Sequence, residues 1–344
     1  MARTMYVIEG LLKHWTSPIR MRIEPCLKVY EIGLRCGDVE GAMWGLFHAG
    51  CFSWYSSERL DQLQKSLDSY CDSMREHQQE AIWASLTPFH QEVLNLMGQS
   101  PDPLVLSGDA MDLDSMLVKS IGSHHKFVSQ LILSIRMEIS FLFHDYSASA
   151  KMLDDLDDAE EVFPGSFHVC RQKLFEGLTC FQMARVVSGQ ERRKFIKRGC
   201  AAVVKMAKWK KAGSLNCAHM YHLLSAESAA AQRKHSQAKM SFAHAIATAH
   251  SDGFLQDKAL AHERACLFFH GIDDKNLASE HMFEAFHGYS SWGAHGKARH
   301  LSTSHPFDFY RDRVEWQTAL SSRTLTSTVR SSMVPSLTLK VDSS

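Results

Sequence analysis

The strings AKMSFAHA (238–245) and ASEHMFEA (278–285) decide the fold, because they carry one helical spacing twice. Ala238, Phe242 and Ala245 stand at i, i+4 and i+7, and Ala278, Met282 and Ala285 repeat the set forty residues later. Such positions share one face of a helix. Two alanines let a neighbouring backbone approach, and the large side chain between them fills the gap. Ala42, Leu46 and Ala49 form the same small–large–small stripe near the amino terminus.

Small–x3–large–x2–small is the pattern of the second helix of a tetratricopeptide-type repeat, whose unit is about 34 residues, so a forty-residue interval implies long turns or helices. Nearly every long segment has apolar residues at three- and four-residue intervals, which predicts an all-α chain. The expected architecture is a tetratricopeptide-like helical-repeat superhelix with amino-terminal repeats over 1–97 and carboxy-terminal repeats over 113–308. Between them, 98–112 holds Pro101, Pro103, Gly108 and three aspartates and reads as a loop or linker. Gly37-Asp38 and Gly213-Ser214 read as stop-and-cap pairs, Ser56-Ser57 as the cap of a helix through Leu60, Leu63, Leu67 and Tyr70, Pro88 as a kink or break, and Trp292-Gly293 as a helix end with the tryptophan over its base. Residues 309–344 read as weakly helical through Tyr310, Val314 and Trp316, then disordered, since 321–344 holds eight serines and four threonines.

The carboxy-terminal wording also resembles a family. Ala245-Ile246-x2-Ala249, Gly253-Phe254, Ala259-Leu260-Ala261-x-Glu263 and Tyr289-x2-Trp292-Gly293-Ala294-x2-Lys297, with Leu301 and Pro306, are similar to the helical region of very large signalling proteins. Those proteins join a serine/threonine kinase-like domain, an ATP-binding module, a tetratricopeptide-like array and often a sensor histidine kinase. The resemblance runs back through Leu223-Leu224-x-Ala226-Glu227 to His14-Trp15-x2-Pro18 and Gly33-Leu34-x2-Gly37-Asp38, covering most of 1–308. It implies a coupling module without the kinase or ATPase parts, with kinase or ATPase modules of a related protein among its partners.

Composition sets the remaining bounds. Lysine plus arginine equals aspartate plus glutamate at 38 each, so no global field draws the chain to nucleic acid or an anionic membrane. Nine cysteines without a C-x-x-C pair point to reduced thiols and a cytoplasmic setting. Glu9 interrupts the apolar run from Met5 to Leu12, which argues against a signal peptide; Arg3, Lys13, Arg20 and Arg22 leave a transit peptide as the minor reading. Gln130, Arg136 and Glu138 interrupt the longest apolar stretch, so no membrane span is expected.

Three constellations could carry chemistry. His262, Cys266 and His270 share a helix face, but i to i+8 covers about 12 Å, too far for both imidazoles to reach one ion, and Cys266 fits a buried small-residue position better. His124 opens a helix without the motif of a phosphoaccepting histidine. The basic block at 192–211, with Arg192, Arg193, Lys197 and Lys208 as a partner surface, could meet nucleic acid, yet the acidic block at 154–161 lies one helix away and favours mutual screening. No phosphate-cradling glycine loop or nucleophile elbow occurs, and no metal or cofactor is expected. The reading is therefore a non-catalytic protein-interaction or signal-coupling scaffold that binds a protein or peptide on the concave surface of its first helices. A phosphorelay or enzyme role through His124 or the His262 row, and a nucleic-acid adaptor through the basic block, are the alternatives.

Overall fold

Two kinds of helix alternate along the chain, one buried on every side and one buried on a single face. The computed structural model describes residues 2–119 and 125–304, and among them there are sixteen α-helices and no strand. Helix α1 (Ala2–Tyr6) passes through a π turn and two 3-10 turns into α2 (Ile23–Arg35), followed by α3 (Val39–Tyr55), α4 (Leu60–Glu76) and α5 (Glu80–Met97). The middle of the chain forms α6 (Leu113–Lys119), α7 (His125–Leu142), α8 (Tyr146–Met152), α9 (Ala159–Val162) and α10 (His168–Val186). Then come α11 (Gly189–Lys211), α12 (Ala218–Ala231), α13 (His235–Asp252), α14 (Leu255–Gly271), α15 (Lys275–Trp292) and α16 (His295–Ser304). His124 and the tail beyond 304, including its expected short helix and disorder, lie outside the described residues.

Helices α3, α5, α7, α10, α12 and α14 make the inner layer. No residue is exposed over 41–58, 82–97, 168–184, 218–231 or 255–269. Helices α2, α4, α11, α13 and α15 cover them, each burying the stripe that its sequence spaces at three and four. Ala238, Phe242 and Ala245 of α13 and Ala278, Met282 and Ala285 of α15 are all buried, as are Ala42, Leu46 and Ala49 of α3. Small residues set the closest approaches: a Cβ on Gly33 of α2 would lie 2.7 Å from the Cβ of Ala42 on α3. Full burial of alternate helices explains why their hydrophobicity runs around the whole circumference.

One turn recurs between the helices. In it a residue at positive φ ends the helix, and the next amide bonds back to a carbonyl five residues earlier, which satisfies an otherwise orphaned group. Asp38 N to Gly33 O (2.9 Å), Lys234 N to Ala229 O (2.9 Å), Phe254 N to Ala249 O (2.8 Å), Asp274 N to Phe269 O (2.9 Å) and Ala294 N to Tyr289 O (2.9 Å) share it. Asp38 and Asp274 then cap the following helices through their carboxylates.

Several local readings are corrected. Ser56-Ser57 ends α3, with Ser57 at φ 62°, and the N-cap position of α4 falls to Arg59. Gly213 has positive φ, but Ser214 caps nothing; Cys217 occupies the N-cap position of α12. Pro88 neither breaks nor ends α5, which continues to Met97. Its missing amide is accommodated within a turn where Thr87 Oγ1 donates to Trp83 O at 2.7 Å and Ser85 Oγ to Ala81 O at 2.9 Å.

The segment 98–112 is held against α5: Asn95 Nδ2 donates to Pro103 O and Val105 O, and Gln91 Oε1 accepts from Ala110 N and Met111 N. The amino- and carboxy-terminal helices meet as well. Trp292 reaches past its own helix base to pack against Trp54, with ring centroids 5.2 Å apart, and donates to Glu58 O at 2.9 Å. Gly98 and Gly296 touch backbone to backbone; a Cβ on Gly296 would lie 2.6 Å from Gly98 N. Only glycine permits that contact.

Candidate functional site

The inner layer is polar at its centre. Helix α14 supplies Asp257, Glu263 and Arg264 from one strongly apolar segment, and each is tied to a different neighbour. Arg171 of α10 donates through Nε and Nη2 to Glu138 Oε1 of α7, at 2.9 and 2.6 Å, and through Nη1 to Asp257. The second oxygen of Asp257 meets His219 Nε2 of α12 at 2.8 Å. Arg264 donates to Glu227 (2.7 Å), Gln182 (2.7 Å) and Tyr146 (3.2 Å), while Arg185 takes the other oxygen of Glu227 at 2.6 Å. Glu263 accepts from Lys297 (2.8 Å) and Tyr289 (2.7 Å) and contacts His144 Nε2 at 2.5 Å.

Burial by itself raises a carboxyl, but at Asp257 and Glu263 the surrounding cations outweigh it. Arg171 and His219 hold Asp257 at about 2, and Lys297 with His144 holds Glu263 well below the carboxylate range. Two carboxyls go the other way: burial raises Glu138 despite Arg171, and Glu92 of α5, fully buried with no hydrogen-bond partner on either oxygen, is pushed far up by burial together with the nearby Glu138 carboxylate. Breaking a buried pair of this kind by removing one partner costs about 3–5 kcal/mol, so the network fixes which helices pack together. It has no open face for a substrate over 255–269.

The members of the histidine–cysteine row have separate surroundings. His262 Nδ1 faces His281 Nδ1 of α15 at 2.9 Å, and burial pulls His262 down to about 3. Burial pushes the Cys266 thiol up to about 12, so it is a packed thiol and not a thiolate, while His270 sits at the exposed end of α14. Among the described residues no group of three His, Cys, Asp or Glu side chains is placed to hold a metal.

The basic block divides into two sets. Arg192 turns inward, donating to Ala184 O (3.1 Å) and to Ala231 O (2.7 Å), the last residue of α12. Arg198 pairs with Glu176 (2.8 Å) and Asp154 (3.3 Å), Lys205 with Glu160, and Lys210 lies over the Tyr221 ring. Screening by the acidic block thus uses Asp154 and Glu160. From Arg193 onward the exposed residues of α11 are Arg193, Lys194, Lys197, Ala201, Val204, Lys208 and Lys211, and none of these five cations pairs with a carboxylate among the described residues. Val204 is 55% exposed in the middle of this row.

No protein-family model, curated protein or solved structure matches the chain. Among the described residues, no helix is long and apolar enough to cross a membrane. From the sequence, Glu227, Glu263 and Lys297 enter only as positions of a resemblance, without a role. The signal for one lay in the Glu263-Arg264 pair inside the run Ala259–Phe269, where solvent-facing charges would break the apolar circumference.

Proposed function

We propose that the chain is a non-catalytic interaction module, a tetratricopeptide-like scaffold that couples protein partners. The resemblance to the helical region of kinase- and ATPase-containing signalling proteins supports this, as does the recurring helix–turn–helix unit. The observation that carries it is the outer face of α11, where five cations without a carboxylate partner among the described residues flank an exposed valine, while the neighbouring cations are consumed internally. The first-helix faces of α10, α12 and α14 are covered by the chain itself, so the partner surface moves from the inside of the array to its outside. A cationic row with an apolar centre suits an acidic protein segment carrying a few apolar side chains.

The test uses a polyglutamate peptide interrupted by leucine, titrated against the full chain by fluorescence anisotropy. Binding should weaken at least tenfold between 50 and 300 mM salt and be lost in R193E/K197E/K208E, because exposed charge attraction is screened beyond about 10 Å at 0.1 M ionic strength. Equal binding by the triple variant would remove the α11 face as the partner surface. Tighter binding of a single-stranded oligonucleotide than of the peptide would favour a nucleic-acid adaptor. Calorimetry with Mg·ATP provides the second arm, in which micromolar binding would revive an enzymatic role.

A further inference from the structure

Cys170, in the first turn of α10, and Cys217, at the N-cap of α12, bring their sulfurs to 3.4 Å, and both side chains are fully buried. Two thiols in contact at a helix junction form the one built cysteine pair among the described residues. Cys217 Sγ also meets Ser214 Oγ at 3.2 Å. Its hydrogen bond with Cys170 lowers the Cys217 thiol from its ordinary value despite burial, whereas burial pushes Cys170 well up. The pair is therefore asymmetric, with Cys217 the more acidic partner.

The turn that carries Cys217 meets the surface at Leu215 alone, and both sulfurs stay buried behind it. Leu215, 53% exposed, and Asn216 line a cleft of about 380 Å³ together with Pro18, Arg20, Met21 and Phe254. Asn216 also bridges to the start of the chain, where its side chain accepts from Ile19 N (3.0 Å) and donates to His14 O (2.7 Å) and Ser17 O (3.0 Å). One amide thus holds the amino-terminal turns against the carboxy-terminal helices, one residue away from the more acidic sulfur.

We propose that Cys170 and Cys217 form a peroxide-sensitive dithiol whose oxidation loosens the grip of Asn216 on the amino-terminal segment. The oxidant is hydrogen peroxide, admitted to the buried pair by transient opening of the turn beside the cleft. The Cys217 thiolate attacks one peroxide oxygen, the O–O bond breaks, and the departing hydroxide takes a proton to leave as water, giving a sulfenic acid on Cys217. The Cys170 sulfur then attacks the Cys217 sulfur, expelling hydroxide, which leaves as water with the proton of Cys170. In sum, two thiols and one peroxide give one disulfide and two waters. A disulfide needs about 2.05 Å between sulfurs, so the two sulfurs must approach by more than about 1 Å. The part of that shift taken up by the 214–217 turn strains the bonds of Asn216 to His14, Ser17 and Ile19.

The experiment treats the full chain, as C36S/C200S to remove the more accessible thiols, with hydrogen peroxide under native conditions, then alkylates it in denaturant and maps peptides without reduction. The expected result is a Cys170–Cys217 linked peptide, 2 Da lighter than the sum of its parts and reversed by dithiothreitol, with faster hydrogen exchange over residues 14–22 in the oxidised form only. Recovery of both cysteines as alkylated thiols, or of Cys217 as an unlinked sulfinic acid, would overturn the dithiol. A linked peptide with unchanged exchange over 14–22 would overturn the coupling through Asn216. C217S in the same background should abolish both readouts, and the mapping of the parent chain stands alone if that variant does not fold.

Discussion

Lys297 of the last described helix donates to Glu263 of α14 across 2.8 Å, with both side chains buried and the same ammonium bonded to Leu142 O at the end of α7. A single buried cation therefore joins three helices that are distant in sequence. Lys297→Met should destabilise the chain by about 3–5 kcal/mol, because it leaves the Glu263 carboxylate with only His144 and Tyr289. The double variant K297M/E263L should recover a substantial part of that loss. Urea unfolding of the set measures both, and a single variant within about 1 kcal/mol of the parent would show that the pair carries no stability.

Acid should act through Asp257. Its folded pKa, held at about 2 by Arg171 and His219, lies below the ordinary 3.8, so its stabilisation is present above the unfolded value and is lost as pH falls toward 2. The loss amounts to roughly 2 kcal/mol at about 1.4 kcal/mol per unit. Asp257→Asn should be less stable than the parent at pH 6, and the gap should narrow as both are acidified. A gap independent of pH would contradict the assignment.

Glu92 has the opposite sign. Its pKa is raised in the folded chain, so the protonated form is favoured there, and stability falls as pH rises above the ordinary carboxyl value. Glu92→Met removes a buried carboxyl whose oxygens have no partner and should stabilise the chain at pH 7, with a gain that grows between pH 5 and 7. Paired denaturation curves across that range test it. Destabilisation at every pH would mean that Glu92 is satisfied by a group it does not contact in this structure.

Packing stripes give a contrast. Ala285 is fully buried, so Ala285→Leu should cost about 1–3 kcal/mol by overpacking. Lys239 is exposed, with its ammonium 5.4 Å above the Phe269 ring, and Lys239→Ala should change stability by no more than about 0.5 kcal/mol. Hydrogen exchange should show the Ala285→Leu damage first between Leu260 and Leu301. Equal tolerance of the two substitutions would remove the stripe as a packing device.

The helices and their ends were legible because their causes are local. Gly37-Asp38 announces a stop and a cap within two residues, and the spacing of Ala278, Met282 and Ala285 needs only one helix to be read. Ser56-Ser57 misled because serine suits both a helix end and a cap, and the choice was made by tertiary contact: Ser57 Oγ accepts from Gln256 N at 3.2 Å. The buried network was illegible for a related reason. Helical periodicity locates an apolar face, but Arg171, Glu227 and Arg264 are tolerated inside only because partners 33 to 118 residues away reach them. The division of the basic block into used and unused cations likewise depends on Asp154, Glu160 and Glu176, which no spacing rule connects to α11.

The amino- and carboxy-terminal helices close onto one another through Trp292 with Trp54 and Gly98 with Gly296. Spin labels on the exposed residues Gln99 and His295, beside the contact of Gly98 with Gly296, report on it most directly through a double electron–electron resonance distance distribution. Closure predicts a single, narrow, short-distance peak that persists in high salt and broadens in Trp292→Ala, which removes the ring contact with Trp54 and the bond to Glu58 O. A broad distribution in the parent chain, extending to the separation of two independent arrays, would contradict it.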